Sequence, residues 1–382
     1  MAAEARASAC GSRALRSHPS AQSARTISVV EGLLVMADIS GYTAFVGGTE
    51  EEHSREIVAE LMESISRSFG GKLTVDQVEG DALCCTTERT DVGVSDWLRE
   101  TFRVFHRRLR DIRSATTCPC RACATVQDLG LKFVVHRGSF SRYEVAGRVQ
   151  LHGNDVNLVH RLLKNTVPGR EYLLATASAL ATWPQSLRSE FVAAPQRYDL
   201  GEVDASYLDL SPVRDAVWHE ERPKVDPATA KLRNTARFPG TPAEVWRHMT
   251  DPALRRIWMG VPRVDFMPGA RGSLVGAEYH CIHGQNQKAV FKVLDCTAPN
   301  EITMQMDFPM VGTVTRTDRV EPEGPSSTRV DTAISWQTKG LRAPIVDLFV
   351  ARMLRKYGAE YDKRVAEMLS GEGARESVGA QH

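Results

Sequence analysis

Apolar and polar positions follow two different periods along the first two hundred residues. Residues 32–37 form a short apolar run, which is typical of a strand buried on both faces. From Ile57 to Ile65 the apolar residues recur at helical spacing, and residues 72–78 alternate as a strand does. Later segments repeat both patterns, with helices over 97–109 and 156–163 and strands over 82–85 and 131–136. Helices alternating with strands and tight turns predict a mixed α/β sheet.

The pattern changes after residues 211–230, a polar segment with three prolines that we predict to be a linker. Thr241, Pro242 and Glu244 then mark a helix start, because threonine caps, proline suits the first helical position and glutamate suits the third. Short strand-like runs follow, and a last helix carries apolar residues up to Met368. This order predicts an α+β domain in which a long helix closes on an antiparallel sheet.

The chain has 382 residues, a length that corresponds to roughly two or three domains. We predict two folded domains. The first residues are rich in Ala, Ser and Arg, a composition that predicts a disordered leader and leaves an organelle-targeting segment as the alternative. The predicted divisions are a disordered leader over 1–26, a first domain over 27–210, a linker over 211–230, a second domain over 231–370 and a disordered tail over 371–382.

Charge and hydropathy exclude several classes of function. The chain has 48 Lys and Arg against 47 Asp and Glu, a net charge of +1, whereas a dedicated nucleic-acid binder carries a basic excess. No apolar run reaches the length of about 18 residues that a transmembrane helix needs. Eight cysteines are too few for a disulfide scaffold in a chain of this length. We therefore expect a cytoplasmic protein with no nucleic-acid partner and no transmembrane span.

Two acidic residues flank adjacent predicted strands. Asp38 ends the first strand, and Asp81 lies in a tight turn before a later one. Two bare carboxylates about 4 Å apart repel by roughly 4 kcal/mol at an effective dielectric of about 20, and a divalent cation removes that cost. Hard oxygen ligands suit Mg²⁺ or Mn²⁺. Gly41, just ahead of a helix, lets backbone N–H groups turn toward an anion such as phosphate.

Three short motifs occur in a fixed order: ADISGYTAF over 37–45, VEGDA over 78–82 and GNDVNLVHR over 153–161. They resemble motifs of the class III nucleotidyl (adenylyl/guanylyl) cyclases, and the resemblance extends over about residues 28–210. More narrowly, this segment resembles an uncharacterised bacterial family, DUF2652-like, that has a Cys-rich insertion. The resemblance implies a ferredoxin-like fold, a nucleoside triphosphate partner and a homodimer in which opposite subunits supply the two halves of each site.

The resemblance also implies a role for each matching residue. Asp38, Asp81 and the Ile39 carbonyl would hold Mg²⁺ or Mn²⁺ for two-metal catalysis. Asn157 would orient the ribose, and Arg161 would meet the charge that develops on the α-phosphate. The implied nucleotide-binding residues are Gly41, Tyr42, Thr43, Gln77 and Gln150.

Base recognition departs from the family's pattern. Where the family contacts the purine with a Lys (or Glu) and an Asp, this chain has Gln77 and Gln150. An amide both donates and accepts hydrogen bonds, so purine contact remains compatible with these residues while the usual adenine or guanine code is absent. The family's phosphate-binding lysine is also missing near Arg197. This pattern fits either an active cyclase with altered specificity or a degenerate domain that binds nucleotide without turnover.

Three cysteines, Cys118, Cys120 and Cys123, form a tight cluster ahead of the strand over 131–136. Three thiolates can bind Zn²⁺ when a fourth ligand completes the tetrahedron, and His106 or His136 would be candidates. Reduced or redox-active thiols are the alternative. Both interpretations stay open at the level of sequence.

Residues 241–246, Asp251-Pro252 and Trp258 resemble the START-like, helix-grip superfamily of polyketide cyclase and lipid-transfer relatives, over about residues 232–369. The resemblance implies a sheet that wraps the last helix around an apolar cavity, and therefore a small apolar ligand or lipid as partner. Large apolar side chains in this segment would line the cavity, or alternatively would only pack in the core. They are Trp246, Trp258, Met259, Met304, Met306, Phe308, Met310, Trp336 and Phe349.

These observations lead to two main hypotheses. The first is a two-domain signalling enzyme, a metal-dependent nucleotidyl cyclase coupled to a domain that binds an apolar ligand. The second is a degenerate nucleotide-binding or dimerisation module joined to a lipid or apolar-ligand carrier. A third hypothesis places chemistry in the C-terminal domain, as in aromatic cyclases, but no paired acid and base stands out there.

Overall fold

The computed structural model describes the chain in seven stretches, and within them each of the two domains is built on one large sheet. The described residues are 28–89, 93–198, 201–269, 273–284, 287–308, 311–338 and 343–379. The predicted leader, residues 1–26, lies outside them. Across the stretches described, no helix has both the length and the apolar content that a bilayer crossing requires.

The N-terminal domain contains an eight-stranded sheet in the part of the chain that the structure describes. The strands of this domain are β1 (Val29–Ser40), β2 (Thr74–Glu79), β3 (Ala82–Thr87), β4 (Gly130–Val145), β5 (Arg148–His152), β6 (Tyr172–Thr176), β7 (Val192–Ala193), β8 (Gln196–Tyr198), β9 (Gly201–Val203) and β10 (Ala205–Asp209). The sheet order is β2-β3-β1-β4-β6-β10-β7, with β5 paired to β4, while β8 and β9 pair separately. Neighbouring strands are antiparallel except for β4 and β6, which are parallel. The mixed sheet confirms the predicted α/β class.

Helices cover both faces of this sheet. They are α1 (Tyr42–Gly48), α2 (Glu51–Ser68), α3 (Val94–Ala115), α4 (Arg121–Thr125), α5 (Asn154–Leu162), α6 (Ala177–Leu180), α7 (Gln185–Arg188) and α8 (Ser211–Trp218), with a 3₁₀ turn over Val126–Asp128. Leu33 and Ala37 of β1 share a core with α2 and α3, whereas Leu34 and Met36 share one with α5. β1 is therefore buried on both faces, as its continuous apolar run predicts. Because side chains alternate along a strand, Asp38 points to the α5 side.

The C-terminal domain is a seven-stranded antiparallel sheet, counted over the described residues, with a long helix packed on it. Its elements are β11 (Leu232–Pro239), α9 (Pro242–Thr250), α10 (Pro252–Met259), β12 (Arg263–Met267), β13 (Glu278–Gly284), β14 (Gln287–Thr297), β15 (Glu301–Phe308), β16 (Gly312–Gly324), β17 (Ser327–Trp336) and α11 (Ala343–Gly379). The strand order is β11-β17-β16-β15-β14-β13-β12. Val350, Val365 and Leu369 of α11 are buried in the domain core. This is the predicted α+β arrangement.

Two local predictions concern the ends of helices. The Thr241 backbone N–H donates to the Glu244 carboxylate at 2.6 Å, and the Glu244 N–H donates to the Thr241 hydroxyl at 3.4 Å, so the predicted capping box is present at α9. At the other end of the domain, α11 runs to Gly379, so helix extends into the segment predicted as a disordered tail. Ala, Arg and Glu in that stretch favour helix, and glycine alone does not end it. Residues 380–382 lie outside the described residues.

The segment predicted as a linker contacts both domains. It begins with α8, whose Val217 is buried against α3. Arg222 follows and donates from Nε to Asp295 Oδ1 at 2.9 Å and from Nη2 to Ser114 Oγ at 3.0 Å. Its guanidinium therefore joins the end of α3 to strand β14. The segment 211–230, predicted as a linker from its prolines and charges, therefore contains a short helix, α8, and a residue that contacts both domains, Arg222.

An arginine is buried in the C-terminal core. Arg255 of α10 is 5% exposed, and its guanidinium carbon lies 4.6 Å from the ring centroid of Tyr279, 4.7 Å from that of Phe291 and 5.1 Å from that of Trp258. Nη1 also donates to the Met249 carbonyl at 3.1 Å. A desolvated cation–π interaction contributes about 2 kcal/mol or more, and the contacts of one guanidinium with several rings do not simply add. Arg255 therefore fixes α10 against the sheet.

The residues predicted to line an apolar cavity mostly occupy two packed clusters. Trp246, Trp258, Met259 and Met304 are in one cluster, Met306, Phe308 and Trp336 are in the other, Phe349 is exposed, and Met310 lies outside the described residues. Core packing therefore accounts for most of this set. Of two cavities in the structure, one lies against the linker segment near Val225, and the other lies between the domains and is lined by Trp246 alone of the predicted set.

Candidate functional site

Asp38 and Asp81 converge at one edge of the N-terminal sheet. Asp38 pairs across the sheet with Ala82 of β3 on one side and with Lys132 of β4 on the other. The Ile39 N–H donates to the Asp81 carbonyl at 3.1 Å, which holds the β2–β3 turn against the end of β1. Lys132 Nζ lies 2.8 Å from Asp38 Oδ2, and both side chains are mostly buried. Two carboxylates and one ammonium thus form an acidic cluster, which we name the Asp38 cluster.

The electrostatics of this cluster suit a cation. Burial, and then the nearby charge of Asp38, raise the pKa of Asp81 above its ordinary value, while Lys132 opposes the rise. One ammonium therefore leaves the two carboxylates with an excess of negative charge. Carboxylate oxygens are the ligands that Mg²⁺ and Mn²⁺ prefer, so the donor set fits a divalent cation. The Ile39 side chain is buried in the core with α2 and α3, so only its backbone can join such a site.

The turn after β1 is shaped around an arginine. Gly41 has φ +85°, and a Cβ at this position would clash with the Arg170 guanidinium. Arg170 Nη2 donates to the Asp128 carbonyl at 2.6 Å and to the Ser40 carbonyl at 3.4 Å. Tyr42 begins α1 directly after this turn. Gly41 was predicted to let backbone N–H groups turn toward phosphate. In the structure it also leaves room for the Arg170 guanidinium beside this turn.

Gln77 and Gln150 are in contact. Their side-chain amides lie 2.8 Å apart, although 73 residues separate them in sequence. Gln77 lies on β2 and Gln150 lies on β5. The contact follows from the fold, because β2 packs against the β4–β5 hairpin. The structure thus brings together the two residues that were predicted to contact the purine. Each amide satisfies part of the other's hydrogen-bonding capacity.

Helix α5, which carries Asn157 and Arg161, is anchored by the residue at its start. Asp155 Oδ2 accepts from the Ser139 N–H at 2.7 Å, and Asp155 Oδ1 lies 3.2 Å from His136 Nε2. Gly138 permits this approach, because a Cβ there would overlap the Asp155 carboxylate. Asn157 is exposed and Arg161 is half-buried. Their assigned roles in the transition state stay predictions.

The cysteine cluster has a fourth residue that differs from both predicted candidates. His53 of α2 places Nδ1 at 3.1 Å from Cys120 Sγ, 3.6 Å from Cys118 Sγ and 4.0 Å from Cys123 Sγ. These four ligand atoms all lie within 4.8 Å of one another. The fourth-ligand prediction was therefore wrong. His106 Nε2 lies 3.0 Å from Glu171 Oε1 instead. His136 Nε2 lies 3.2 Å from Asp155 Oδ1.

Several residues of these sites were missed by sequence reasoning. Lys132 lies on the strand predicted over 131–136, and pairing that strand with β1 would have placed it beside Asp38. His53 carries no such signal, because the approach of the α2 N-terminus to the cysteine segment depends on tertiary packing. Arg170 lies in a loop and is likewise recognisable only in the fold.

Comparison with known proteins identifies both halves. The "Uncharacterized protein Rv2561/Rv2562" of Mycobacterium tuberculosis is 34% identical over 159 residues, which cover 40% of this chain and 74% of the relative. The model of "Protein of unknown function (DUF2652)" matches residues 58–172. The chain belongs to the DUF2652 family. This member carries a second match, over residues 229–368, to the family "Polyketide cyclase / dehydrase and lipid transport". Both family resemblances stated from the sequence are confirmed.

Solved structures similar to this DUF2652 protein include two cyclases. The guanylyl cyclase Cya2 is 13% identical with a TM-score of 0.39, covering 47% of this chain and 92% of that one. The adenylyl cyclase CyaB from P. aeruginosa is 14% identical with a TM-score of 0.36, covering 48% and 95%.

Proposed function

We propose that the N-terminal domain binds a nucleoside triphosphate with Mg²⁺ or Mn²⁺ at the Asp38 cluster and converts it to a cyclic nucleotide. The observation that carries the proposal is the convergence of Asp38 and Asp81 on one sheet edge with Lys132 beside them. Burial, and then the charge of Asp38, raise the pKa of Asp81, and a divalent cation bound by both carboxylates would offset both effects. The three motifs that lie in family order support the same assignment.

Each residue has a physical task in this proposal. Asp38 and Asp81 would hold the divalent cation, which supplies Lewis-acid stabilisation of the triphosphate and of the attacking hydroxyl. Lys132 lies beside Asp38 and Arg170 lies beside Gly41, and both would add positive charge for phosphate oxygens. On α5, Asn157 would orient the ribose.

Base and transition-state contacts complete the site. Gln77 and Gln150 would separate to offer amide donors and acceptors to the base. Arg161, four residues after Asn157 on the same helix, would meet charge that builds on the α-phosphate. The altered base contacts indicate a specificity that differs from the usual adenine or guanine code.

A second copy of the chain would complete each site. Exposed apolar side chains surround the glutamine pair on β2 and on the β4–β5 hairpin, namely Val78, Tyr143, Val145 and Val149. Apolar side chains on neighbouring strands favour burial against another surface. We propose a homodimer across this region, with the Asp38 cluster of one copy facing α5 of the other, as the family resemblance implies.

The C-terminal domain is proposed to bind a small apolar ligand or lipid and to signal to the nucleotide site. Its support is the family match, whose description includes lipid transport. The route between domains is short, since the Ala298 N–H donates to the Ser114 carbonyl at 2.8 Å and Arg222 contacts both domains. A ligand that shifts β14 would therefore displace the end of α3 directly.

One observation favours a second function, nucleotide binding without turnover. Lys132 already neutralises Asp38, and Gln77 already satisfies Gln150, so both halves of the site are partly self-paired. In this alternative the N-terminal domain is a nucleotide sensor or dimerisation module joined to a ligand carrier.

The experiment that separates these functions uses the purified full chain with Mn²⁺ and each of the four ribonucleoside triphosphates. We expect a cyclic nucleotide and pyrophosphate from at least one of them, detected by mass spectrometry, and loss of both products in Asp38→Asn. Asp96→Asn, an exposed helix residue, is the matched control and should retain activity. Nucleotide binding without product supports the second function, and neither binding nor product overturns both.

A further inference from the structure

The four-residue group of His53, Cys118, Cys120 and Cys123, here called the Cys₃His group, lies outside the proposed nucleotide site. His53 comes from the first turns of α2, while Cys118 and Cys120 lie between α3 and α4 and Cys123 lies within α4. In sequence, 65 residues separate His53 from the first cysteine. Three thiol sulfurs and one imidazole nitrogen from two distant segments therefore meet at one point.

The spacing of the ligand atoms matches a tetrahedral metal. Zn–S bonds of about 2.3 Å and a Zn–N bond of about 2.0 Å, at tetrahedral angles, place the nitrogen about 3.5 Å from each sulfur. The observed distances from His53 Nδ1 to the sulfurs of Cys120, Cys118 and Cys123 are 3.1, 3.6 and 4.0 Å. They scatter around the tetrahedral value. A redox pair would need only two sulfurs, and it gives no reason for an imidazole nitrogen within 4.0 Å of all three.

The surrounding residues hold the ligands in place. The Cys123 N–H donates to Cys120 Sγ at 3.4 Å, and the Cys118 N–H donates to Thr116 Oγ1 at 3.0 Å. Glu50 uses both carboxylate oxygens to accept from the first N–H groups of α4, each at 3.1 Å. Such outer contacts fix ligand orientation in metal sites. Glu50 also ties the cysteine segment to the start of α2, where His53 is located.

We infer that Cys118, Cys120, Cys123 and His53 Nδ1 bind one Zn²⁺ in a closed structural site. All four ligands come from this chain, which leaves no coordination position for substrate and separates the site from catalysis. Zn²⁺ fits better than Mg²⁺ or Mn²⁺, because thiolates are soft ligands.

The metal would also stabilise the contact between the domains. A cavity of about 700 Å³ separates the Cys₃His group from the C-terminal domain, with His53, Cys118 and Cys123 on one wall and Trp246 and Leu274 on the other. The cysteine segment follows directly after α3, whose end bonds to β14. Zn²⁺ would therefore hold one wall of this cavity in a fixed position.

The test measures metal in the full chain, purified under reducing conditions from cells grown with zinc. We expect about one zinc per chain by elemental mass spectrometry, and a large loss in Cys120→Ser and in His53→Asn. His283→Asn is the matched control and should keep the metal, since His283 lies outside the group. Cobalt substitution should give the intense visible bands of a tetrahedral thiolate site, and His53→Asn should shift them.

A readout on the wild-type chain covers the case in which ligand variants fail to fold. Chelation should expose three additional thiols to a thiol reagent and increase hydrogen exchange over residues 116–125, and added zinc should reverse both effects. A metal-free chain with reactive thiols, a disulfide within the group, or metal content unchanged by both ligand variants would overturn the inference.

Discussion

Replacing Lys132 with methionine tests the electrostatic account of the Asp38 cluster. The substitution keeps a long side chain on β4 and removes only the positive charge. Asp38 then loses its partner at 2.8 Å, and Asp81 loses a group that opposes the rise of its pKa. Two carboxylates remain with no cation between them.

The magnitude follows from the geometry. At 2.8 Å and an effective dielectric of about 20, the attraction between Asp38 and Lys132 is about 6 kcal/mol before desolvation is counted. The side chains are 13% and 20% exposed, so removal of one partner leaves a largely buried charge and costs about 3–5 kcal/mol. A domain is stable by about 5–15 kcal/mol, so the loss should be plain in the melting temperature.

The assay is thermal unfolding with and without Mn²⁺. Lys132→Met should unfold at a lower temperature than the wild type in chelator, and Mn²⁺ should restore more stability to the variant than to the wild type. A ligand at one hundred times its Kd adds about 2.7 kcal/mol, enough to recover most of the loss. Triphosphate binding should weaken in the same variant, because a cation for the phosphates is gone.

Lys363→Met is the matched control, because Lys363 makes a surface pair with Glu367 that contributes about 0–1 kcal/mol. The control should change neither the melting temperature nor the response to Mn²⁺. The electrostatic account fails if Lys132→Met is as stable as the wild type in chelator and gains no more from Mn²⁺. The same result would remove the main support for a cation at Asp38 and Asp81.

Three further predictions concern other parts of the chain. Because burial and the charge of Asp38 raise the pKa of Asp81 above 3.8, its contribution to stability is full below that pH and is lost as the pH rises through the raised pKa. The unfolding free energy measured in urea should therefore fall as the pH rises above 3.8, and Asp81→Asn should remove this part of the pH dependence. An unchanged pH dependence in the variant would contradict the prediction. Gln77→Lys with Gln150→Asp should raise the affinity for a purine nucleotide by about one to two orders of magnitude, since hydrogen bonds to charged groups contribute about 1.5–3 kcal/mol; an unchanged affinity in competition binding would oppose this. Arg255→Met should lower the unfolding free energy by about 2–4 kcal/mol in urea, and a variant as stable as the wild type would disprove the cation–π argument.

Patterns within one element carried over into the structure well. The apolar run before Asp38 is a strand buried on both faces, and the capping box of Thr241 and Glu244 is present at α9. Local periodicity and capping chemistry determine such features, so sequence suffices for them. The motif positions also allowed Gln77 and Gln150 to be singled out together before their contact was known.

Features that depend on packing between distant elements were not predictable in the same way. His53 meets the cysteines only because α2 and α4 pack together, and nothing in the residues around it signals a ligand. Arg170 reaches Gly41 across a large sequence separation. Residues 211–230 were predicted as a linker because they are polar. The contact between the domains in this segment is made by a charged residue, Arg222, and polarity alone does not indicate such a contact.

The position of Arg222 has a consequence for how the chain unfolds. Its guanidinium bonds to Ser114 of the first domain and to Asp295 and Thr297 of the second, and the Ala298 N–H bonds to Ser114 beside it. These hydrogen bonds join the end of α3 directly to strand β14. Amide protons on these two elements should exchange with a common protection factor, so the two sheets would lose structure as a single cooperative unit.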